Sequence, residues 1–197
     1  MDISTTLIKE LRSKTGVGIM DCKKALKECN GDIDKAVEYL RKKGIATAMK
    51  RGGRVASEGR IESYIHAGGK LGVLVEINCE TDFTAKTDDF TSFAKDIAMH
   101  IAASNPIAID QNGVPADVIE KERDIYVTQA KESGKPEKII DKIVEGKLKK
   151  FFSEVCLLEQ AFVKNPDITV NDLLNEMIAK TGEKIEIRRF VRYQLGE

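Results

Sequence analysis

Apolar residues recur at helical spacing in three short segments at the start of the chain. Ser4, a favourable N-cap, precedes the first segment, and Gly16, Asn30–Gly31 and Gly44 are the expected stops of the three helices. The buried faces are expected to hold, helix by helix, Leu7, Ile8 and Leu11; Cys22, Ala25, Leu26 and Cys29; and Ile33, Ala36, Val37 and Leu40. The pattern predicts a domain of three short helices over residues 1–44.

The composition changes over residues 45–60. The run Lys50–Arg54 is basic, contains two glycines and has no large apolar side chain. This composition is typical of a solvated connection, so we expect a helix tail followed by a mobile linker.

Period-two patterns begin after this linker. Ile61–His66, the turn Gly68–Gly69 and the run Leu71–Cys79 predict a β-hairpin. The second strand is apolar on both faces for part of its length, which favours a central strand covered by helices. A last strand is predicted over Lys184–Leu195, with one face formed by Ile185, Ile187, Val191, Tyr193 and Leu195.

Four further helices are predicted between these strands. They cover Asp88–Ser104, Pro115–Ser133, Pro136 to about Phe152, and a capped helix from Thr169 to about Lys180. The third of these is expected to place Ile139, Ile140, Ile143 and Leu148 inward, and residues 157–163 are read as extended or loop.

The elements together predict an α+β fold with two domains. The three-helix domain of residues 1–44 resembles the ubiquitin-associated type, which usually serves in docking. Residues 61–197 are expected to form an α+β body, in which helices pack on a small antiparallel sheet.

Charge and length exclude several classes of protein. The chain of 197 residues has 32 Lys and Arg against 32 Asp and Glu, so it has no net basic charge for nucleic acid. No apolar run approaches the roughly 20 residues that span a bilayer, so no membrane association is predicted. Met1–Thr5 does not begin a secretory signal, so a cytoplasmic location is expected.

The cysteines and histidines form no metal-binding pattern. The four cysteines include no CxxC pair, and reduced thiols are expected. Of the two histidines, His66 is expected at a surface turn and His100 as a satisfied core or edge residue. We therefore predict no metal site and no cofactor.

Two motifs invite a catalytic interpretation, and both are weak. Gly16–Gly18 precedes a lysine pair, but it lacks the third glycine of a dinucleotide fingerprint and the spacing of a Walker loop. A turn between helices explains it better. Glu76, Glu80 and Asp82 could form a metal or acid–base cluster, but no histidine or lysine base accompanies them by sequence. We expect no catalytic residues and a protein that is not an enzyme.

The stretch Glu76–Lys86 offers a different kind of site. It places Thr81–Asp82–Phe83 where a strand passes into a helix, a position from which side chains commonly project. An aromatic ring beside a carboxylate suits insertion into a partner better than chemistry on a substrate. Taken alone, the residues leave open whether Phe83 projects or folds back into its own core.

Two long segments, Leu11–Leu26 and Glu76–Lys86, resemble the elongation factor Ts family, and shorter similarities run along nearly the whole chain. The resemblance implies a translation factor that binds the GDP form of elongation factor Tu and promotes GDP release, so that GTP can rebind. It implies that the helical domain docks on the partner's GTP-binding domain. The contact residues would be Arg12, Val17, Ile19, Met20 and Lys23, unless Ile19 and Met20 simply close the domain's own core.

The resemblance also implies that Thr81, Asp82, Phe83 and Thr84 form a wedge that disturbs the partner's magnesium and phosphate-binding site. Family members usually carry Val where this chain has Thr84, whose hydroxyl costs stability if it is buried unpaired. Longer members have a duplicated core and a helical hairpin insertion. This chain has room for one core unit, so we expect a homodimer.

Two other functions stay open at this point. One is a binding-only adaptor without exchange activity. The other is an RNA-binding protein that uses cations at the end of the chain, although the balanced charge counts against it. Those cations are Lys147, Lys149, Lys150, Arg188, Arg189 and Arg192.

Overall fold

Helices alternate with two small sheets in the computed structural model, which describes residues 3–134 and 136–197. The helices are α1 (Thr5–Thr15), α2 (Ile19–Glu28), α3 (Ile33–Arg51), α4 (Asp82–Ala85), α5 (Asp88–Ser104), α6 (Ala116–Glu132), α7 (Glu137–Val155) and α8 (Val170–Thr181). The strands are β1 (Glu58–Ile65), β2 (Leu71–Cys79), β3 (Ala161–Phe162), β4 (Asn165–Thr169) and β5 (Ile185–Gln194). Short 3-10 helices cover Gln111–Gly113 and Leu157–Glu159. The predicted α+β class is confirmed.

Helices α1 to α3, here called the head, pack around their own core. Ser4 caps α1 by accepting a hydrogen bond from Leu7 N at 3.3 Å, and Gly16 ends the helix at φ 66°. Asp32 accepts from Lys35 N at 3.0 Å at the start of α3. The buried core consists of Ile8, Leu11, Val17, Cys22, Ala25, Leu26, Ala36 and Leu40, close to the predicted set.

The third helix is longer than the sequence predicts. It continues through Gly44 to Arg51, so residues 45–51 are helical, and β1 already begins at Glu58. Gly44 lies against α8, where an added Cβ would meet Ala179 Cβ at 3.1 Å and Asn175 O at 3.3 Å. The glycine thus allows close helix packing and does not end the helix. The side chain of Lys50, part of the predicted linker, lies outside the described residues.

The larger sheet has the order β1-β2-β5, so β2 is the central strand as predicted. Its residues Val73, Val75 and Ile77 are buried, but Leu74 is exposed, so helices do not cover both faces along the whole strand. In β5 the apolar face is buried at Ile185 and Ile187 and exposed further along. The shorter strands β3 and β4 form a separate antiparallel pair.

Helices α6 and α7 form a hairpin with a small core of Ala130, Ile140, Val144 and Leu148. Ile139, predicted to face inward, is 41 % exposed, because the buried positions of α7 follow Ile140 at intervals of four residues.

His100 on α5 is fully buried, and its partners satisfy it as predicted. Val163 N donates to its Nδ1 at 3.2 Å, so its Nε2 carries the proton that goes to Gln160 Oε1 at 2.9 Å. The amide of Gln160 in turn donates to the carbonyls of Ser104 and Glu154. The exposed His66 lies beside Tyr64, whose hydroxyl is 2.9 Å from His66 Nδ1.

The chain forms two compact units, each assembled from three segments. The first comprises the described residues up to Glu62, with Val75–Asp96 and Asp172–Arg188. The second comprises Ser63–Leu74, the described part of Ile97–Asn171, and Arg189–Glu197. The predicted division into a domain of 1–44, a linker and a body of 61–197 stays a prediction. Within the part of the chain that the structure describes, no helix is long and apolar enough to cross a membrane.

Candidate partner-binding site

The segment Thr81–Ala85, here called the tip, projects Phe83 into solvent. Thr81 ends the extended stretch after β2 and caps the single turn of α4, because its Oγ1 accepts from Thr84 N at 3.3 Å. Phe83 is 78 % exposed. The alternative that Phe83 folds back into the protein's own core is therefore wrong for this conformation.

Thr84 lies on the opposite side of the same turn and is buried together with Ala85. Successive helical residues point about 100° apart, so a turn that exposes residues 82 and 83 turns residue 84 inward. A contact between Thr84 and a partner would require the side chain to move, and its place in the binding surface stays a prediction.

Asp82 stands beside Phe83 on the exposed side of the turn. Its Oδ2 pairs with Lys86 Nζ at 2.6 Å, one helical turn further on. The hydrogen bond and charge of Lys86 hold the pKa of Asp82 below its usual range, and the pKa of Lys86 is raised in return. The tip thus presents an ionised carboxylate next to an aromatic ring.

Glu183, which sequence reasoning missed, binds the backbone at the start of the tip. Glu183 lies between α8 and β5, and its Oε2 accepts from Glu80 N at 3.1 Å and from Thr81 N at 3.0 Å. Its Oε1 accepts from Thr81 Oγ1 at 2.6 Å. No pattern local to either segment indicates this contact, because 102 residues separate Thr81 from Glu183.

Glu80 in turn accepts a hydrogen bond from the segment that contains Glu183. Its Oε1 accepts from Lys184 N at 2.6 Å, and its carboxylate pairs with Arg54 at 3.0 Å and Arg51 at 3.4 Å. The backbone hydrogen bond from Lys184 is the largest cause that lowers the pKa of Glu80, and the two arginines act in the same direction. The end of α3 is thereby tied to the base of the tip.

The three carboxylates of the possible metal or acid–base cluster have separate partners. Glu76 pairs with Arg188 at 3.6 Å, Glu80 with the arginines at the end of α3, and Asp82 with Lys86. Among the described residues no group of three or more acidic, histidine or cysteine side chains could hold a metal ion.

The cysteine below the tip is inert. Cys79 is buried and its thiol donates to Thr81 O at 3.1 Å. Burial, with a smaller contribution from Glu183, raises its pKa to about 11, so the reactive thiolate is scarce at neutral pH.

The turn between α1 and α2 gives the head an exposed apolar pair. Ile19 is 52 % and Met20 is 76 % exposed, so neither closes the head's core. Val17 is buried instead, and its carbonyl accepts from the Cys22 thiol at 3.4 Å. The proposed contact of Val17 with a partner stays a prediction.

Two cations are predicted to flank this pair. Arg12 on α1 and Lys23 on α2 are both exposed. Both are therefore accessible to a partner, and their contact with it stays a prediction.

The head turn and the tip belong to the same compact unit, and Lys180 of α8 lies near the first and pairs with the helix that follows the second. Near the turn, a Cβ at Gly16 would lie 2.8 Å from Lys180 Cε. The same lysine pairs with Asp89 at 2.6 Å in the first turn of α5, directly after the tip. Further along α3, Arg41 pairs with Asp172 at 2.7 Å.

Known proteins resemble this chain along its whole length. The family model described as Elongation factor TS matches residues 19–197. Elongation factor Ts of Desulfosudis oleivorans is 63 % identical over 195 residues, which cover 99 % of this chain and 98 % of that protein. The Carboxydothermus hydrogenoformans protein of the same name is 63 % identical, over 99 % of this chain and 90 % of its own length. That of Desulfotalea psychrophila is 61 % identical over the full length of both.

Proposed function

The chain belongs to the elongation factor Ts family, and we propose that it releases GDP from elongation factor Tu by inserting its exposed tip near the bound nucleotide. Proteins of this family are translation elongation factors that promote nucleotide exchange on elongation factor Tu. The proposed step makes and breaks no covalent bond, needs no cofactor of the factor's own, and takes place in the cytoplasm.

The exposure of Phe83 carries this proposal. A ring that is 78 % exposed on a capped turn costs nothing to withdraw from its own core and gains by burial in a partner. Burial of a Phe side chain contributes about 1.5–3 kcal/mol, or roughly one to two decades in affinity. If the receiving pocket opens only when the magnesium and phosphate site is disturbed, the ring favours the nucleotide-free state.

Asp82 supplies the charge for the same step. Its ionised carboxylate can exchange Lys86 for a donor or cation of the partner, close to where the ring enters. By thermodynamic linkage, bound nucleotide lowers the affinity of elongation factor Tu for this protein by the same factor as this protein lowers its affinity for nucleotide.

The head provides the anchor on the GTP-binding domain of elongation factor Tu. Ile19 and Met20 form the apolar contact, and Arg12 and Lys23 flank it. Val17 and Thr84 are the remaining proposed contacts. Both side chains are buried in this conformation, so they would reach the partner only after the head turn and the tip rearrange.

Release of a fluorescent GDP analogue from elongation factor Tu tests the proposal. Phe83→Ala is expected to lower the catalysed release rate about 10- to 100-fold, because the differential burial of the ring is lost. The matched control is Ile107→Ala, which shortens another exposed apolar side chain and should release GDP at the wild-type rate. A folded Phe83→Ala protein with full activity would refute the wedge.

The same assay separates the alternatives. An adaptor without exchange activity would bind elongation factor Tu and leave GDP release unchanged. For RNA binding, at least four of the six named cations already engage the protein itself. Arg188 pairs with Glu76, Lys150 with Glu154 and Arg192 with Glu197, and Lys147 donates to Gln129. This internal pairing favours the exchange function.

We also propose that the protein is a homodimer. The second unit exposes an apolar surface at one end of the sheet, formed by Ile65, Leu74, Val191, Tyr193 and Leu195. A groove of about 500 Å³ is lined by most of these side chains. A second copy of the same surface would cover it and supply the core unit that longer family members carry in one chain.

A further inference from the structure

We propose that Glu183 is a positioning residue that holds the tip in its projecting conformation. The inference rests on the proposed exchange function for its consequence, because the tip is the part of the molecule that would act on elongation factor Tu. Glu183 itself is half-buried and binds the backbone at the start of the tip, so it need not touch the partner.

Both oxygens of Glu183 are engaged by the tip. Oε2 receives the N–H groups of Glu80 and Thr81, and Oε1 receives the hydroxyl of Thr81 at 2.6 Å. An ionised acceptor makes shorter and stronger hydrogen bonds than a neutral one. Three such bonds to two adjacent residues fix the direction in which the chain leaves β2.

The hydroxyl of Thr81 transmits this constraint to α4. A hydroxyl has one proton, and here it points to Glu183. The lone pairs of Thr81 Oγ1 are then directed away from Glu183, and one of them accepts from Thr84 N. Glu183 thus orients the cap of the turn that carries Asp82 and Phe83.

The two segments accept hydrogen bonds from each other. The Glu80 carboxylate accepts from Lys184 N, and the Glu183 carboxylate accepts from Glu80 N and Thr81 N. Neither segment can shift without breaking bonds in both directions. Arg51 and Arg54 also pair with Glu80, so these contacts connect the tip to the end of α3.

The effect reaches Phe83 through its backbone. The ring is mostly exposed and has little core packing, so its direction depends on the cap at Thr81 and on the backbone bonds of Glu80 and Thr81. A loosened tip would visit the inserting geometry only part of the time, and the rate of GDP release would fall by that fraction.

Glu183→Gln tests the inference with little change in shape. The amide replaces one acceptor oxygen by a donor group and removes the charge. Turned towards the backbone, the NH2 group cannot accept from Glu80 N and Thr81 N; turned towards Thr81 Oγ1, it can only donate, which reverses that bond and turns the hydroxyl proton away from residue 183. Loss of a charge-assisted bond predicts a maximal GDP-release rate about tenfold lower, with a half-saturating factor concentration within about twofold of wild type. The half-saturating concentration is expected to change little because the substitution does not alter the anchor in the head.

Glu186→Gln is the matched control. Glu186 lies three residues further on and pairs with Lys184 Nζ at 2.9 Å, but it makes no contact with the tip. This variant should retain the wild-type release rate. In a Phe83→Ala background, Glu183→Gln should lower the rate by a clearly smaller factor than in the wild type, since the part of its effect that passes through the ring is absent and only the part that passes through Asp82 remains.

Two results would overturn the inference: a wild-type release rate in Glu183→Gln, or the same fold loss with and without Phe83. Backbone hydrogen exchange decides the positioning independently of exchange activity. The amides of Glu80 and Thr81 should exchange at least about tenfold faster in Glu183→Gln than in Glu186→Gln. Unchanged protection there would overturn the inference, whereas failure of the wild type to release GDP would overturn only the proposed function.

Discussion

His100 shows at the scale of one residue how a buried ionisable group is kept neutral. Its Nδ1 accepts a backbone N–H, so a second proton could enter only by breaking that bond. Burial lowers the pKa of His100 below its ordinary value, although the hydrogen bond to Gln160 acts in the opposite direction. The unfolded chain therefore takes up this proton at higher pH than the folded one.

This difference predicts a pH-dependent stability. The contribution of His100 is fully present above the unfolded pKa of about 6.5 and is lost as pH falls below it toward the lowered folded pKa. Urea unfolding at pH 7.5, 6.5 and 5.5 should show a decreasing free energy of unfolding. In His100→Gln, which cannot titrate, the decrease between pH 7.5 and 5.5 should be smaller, whatever the baseline stability. An identical decrease in both proteins would contradict the assignment.

The residues of the tip illustrate what a sequence can predict at this scale. The strand-to-helix junction at Thr81 and the buried stripe of α5 both follow from local pattern. The direction of Phe83 does not, because a one-turn helix has no periodicity to show which side is buried. Glu183 could not be found either, since an acidic residue beside a glycine is typical of any solvated turn.

At the scale of elements, α3 shows why glycine is an ambiguous stop signal. Gly44 was expected to end the helix, yet the helix continues for seven residues to Arg51. Glycine serves two purposes, a left-handed cap or a close helix contact, and only the position of α8 distinguishes them. The other helix ends, at Gly16 with φ 66° and at Asn30–Gly31, were predicted correctly because there the backbone does turn left-handed.

Gly44→Val should separate these roles by its effect on stability. The added side chain meets Ala179 and the Asn175 carbonyl, so we expect the free energy of unfolding to fall by about 1–3 kcal/mol. Gly146→Val is the control, because Gly146 lies inside α7 with no neighbour within 4 Å of an added Cβ. That variant should be neutral or gain a few tenths of a kcal/mol from helix propensity.

Urea unfolding with circular dichroism measures both variants. A Gly44→Val protein as stable as Gly146→Val would mean that α3 does not need its close approach to α8.

At the scale of the whole molecule, the head is more firmly placed than its sequence indicates. A basic, glycine-containing run predicted a mobile linker, but Arg51 and Arg54 pair with Glu80. The composition of a segment cannot predict a partner this far along the chain. The two predicted contact surfaces belong to one compact unit, and the surface proposed for self-association belongs to the second.

The dimer is tested at this scale. Tyr193→Glu places a charge in the exposed apolar end of the sheet, where it would be buried in a symmetric interface at a cost of several kcal/mol. Light scattering should give twice the chain mass of 21.9 kDa for the wild type and a single chain mass for the variant. Val163→Glu, at another exposed apolar position, should remain a dimer. A monomeric wild type at working concentration would refute the dimer.

The distance along the chain between Thr81 and Glu183 also sets an order of events during synthesis. The ribosome adds about 5–20 residues per second, so Glu183, which lies 102 positions after Thr81, follows it by roughly 5–20 s. During that interval the head can already fold, while the tip still lacks the carboxylate that holds it. Under the proposed function, the residues of the anchor are therefore made before the carboxylate that fixes the tip. We expect a product that ends before Glu183, which also lacks β5, to release GDP from elongation factor Tu poorly.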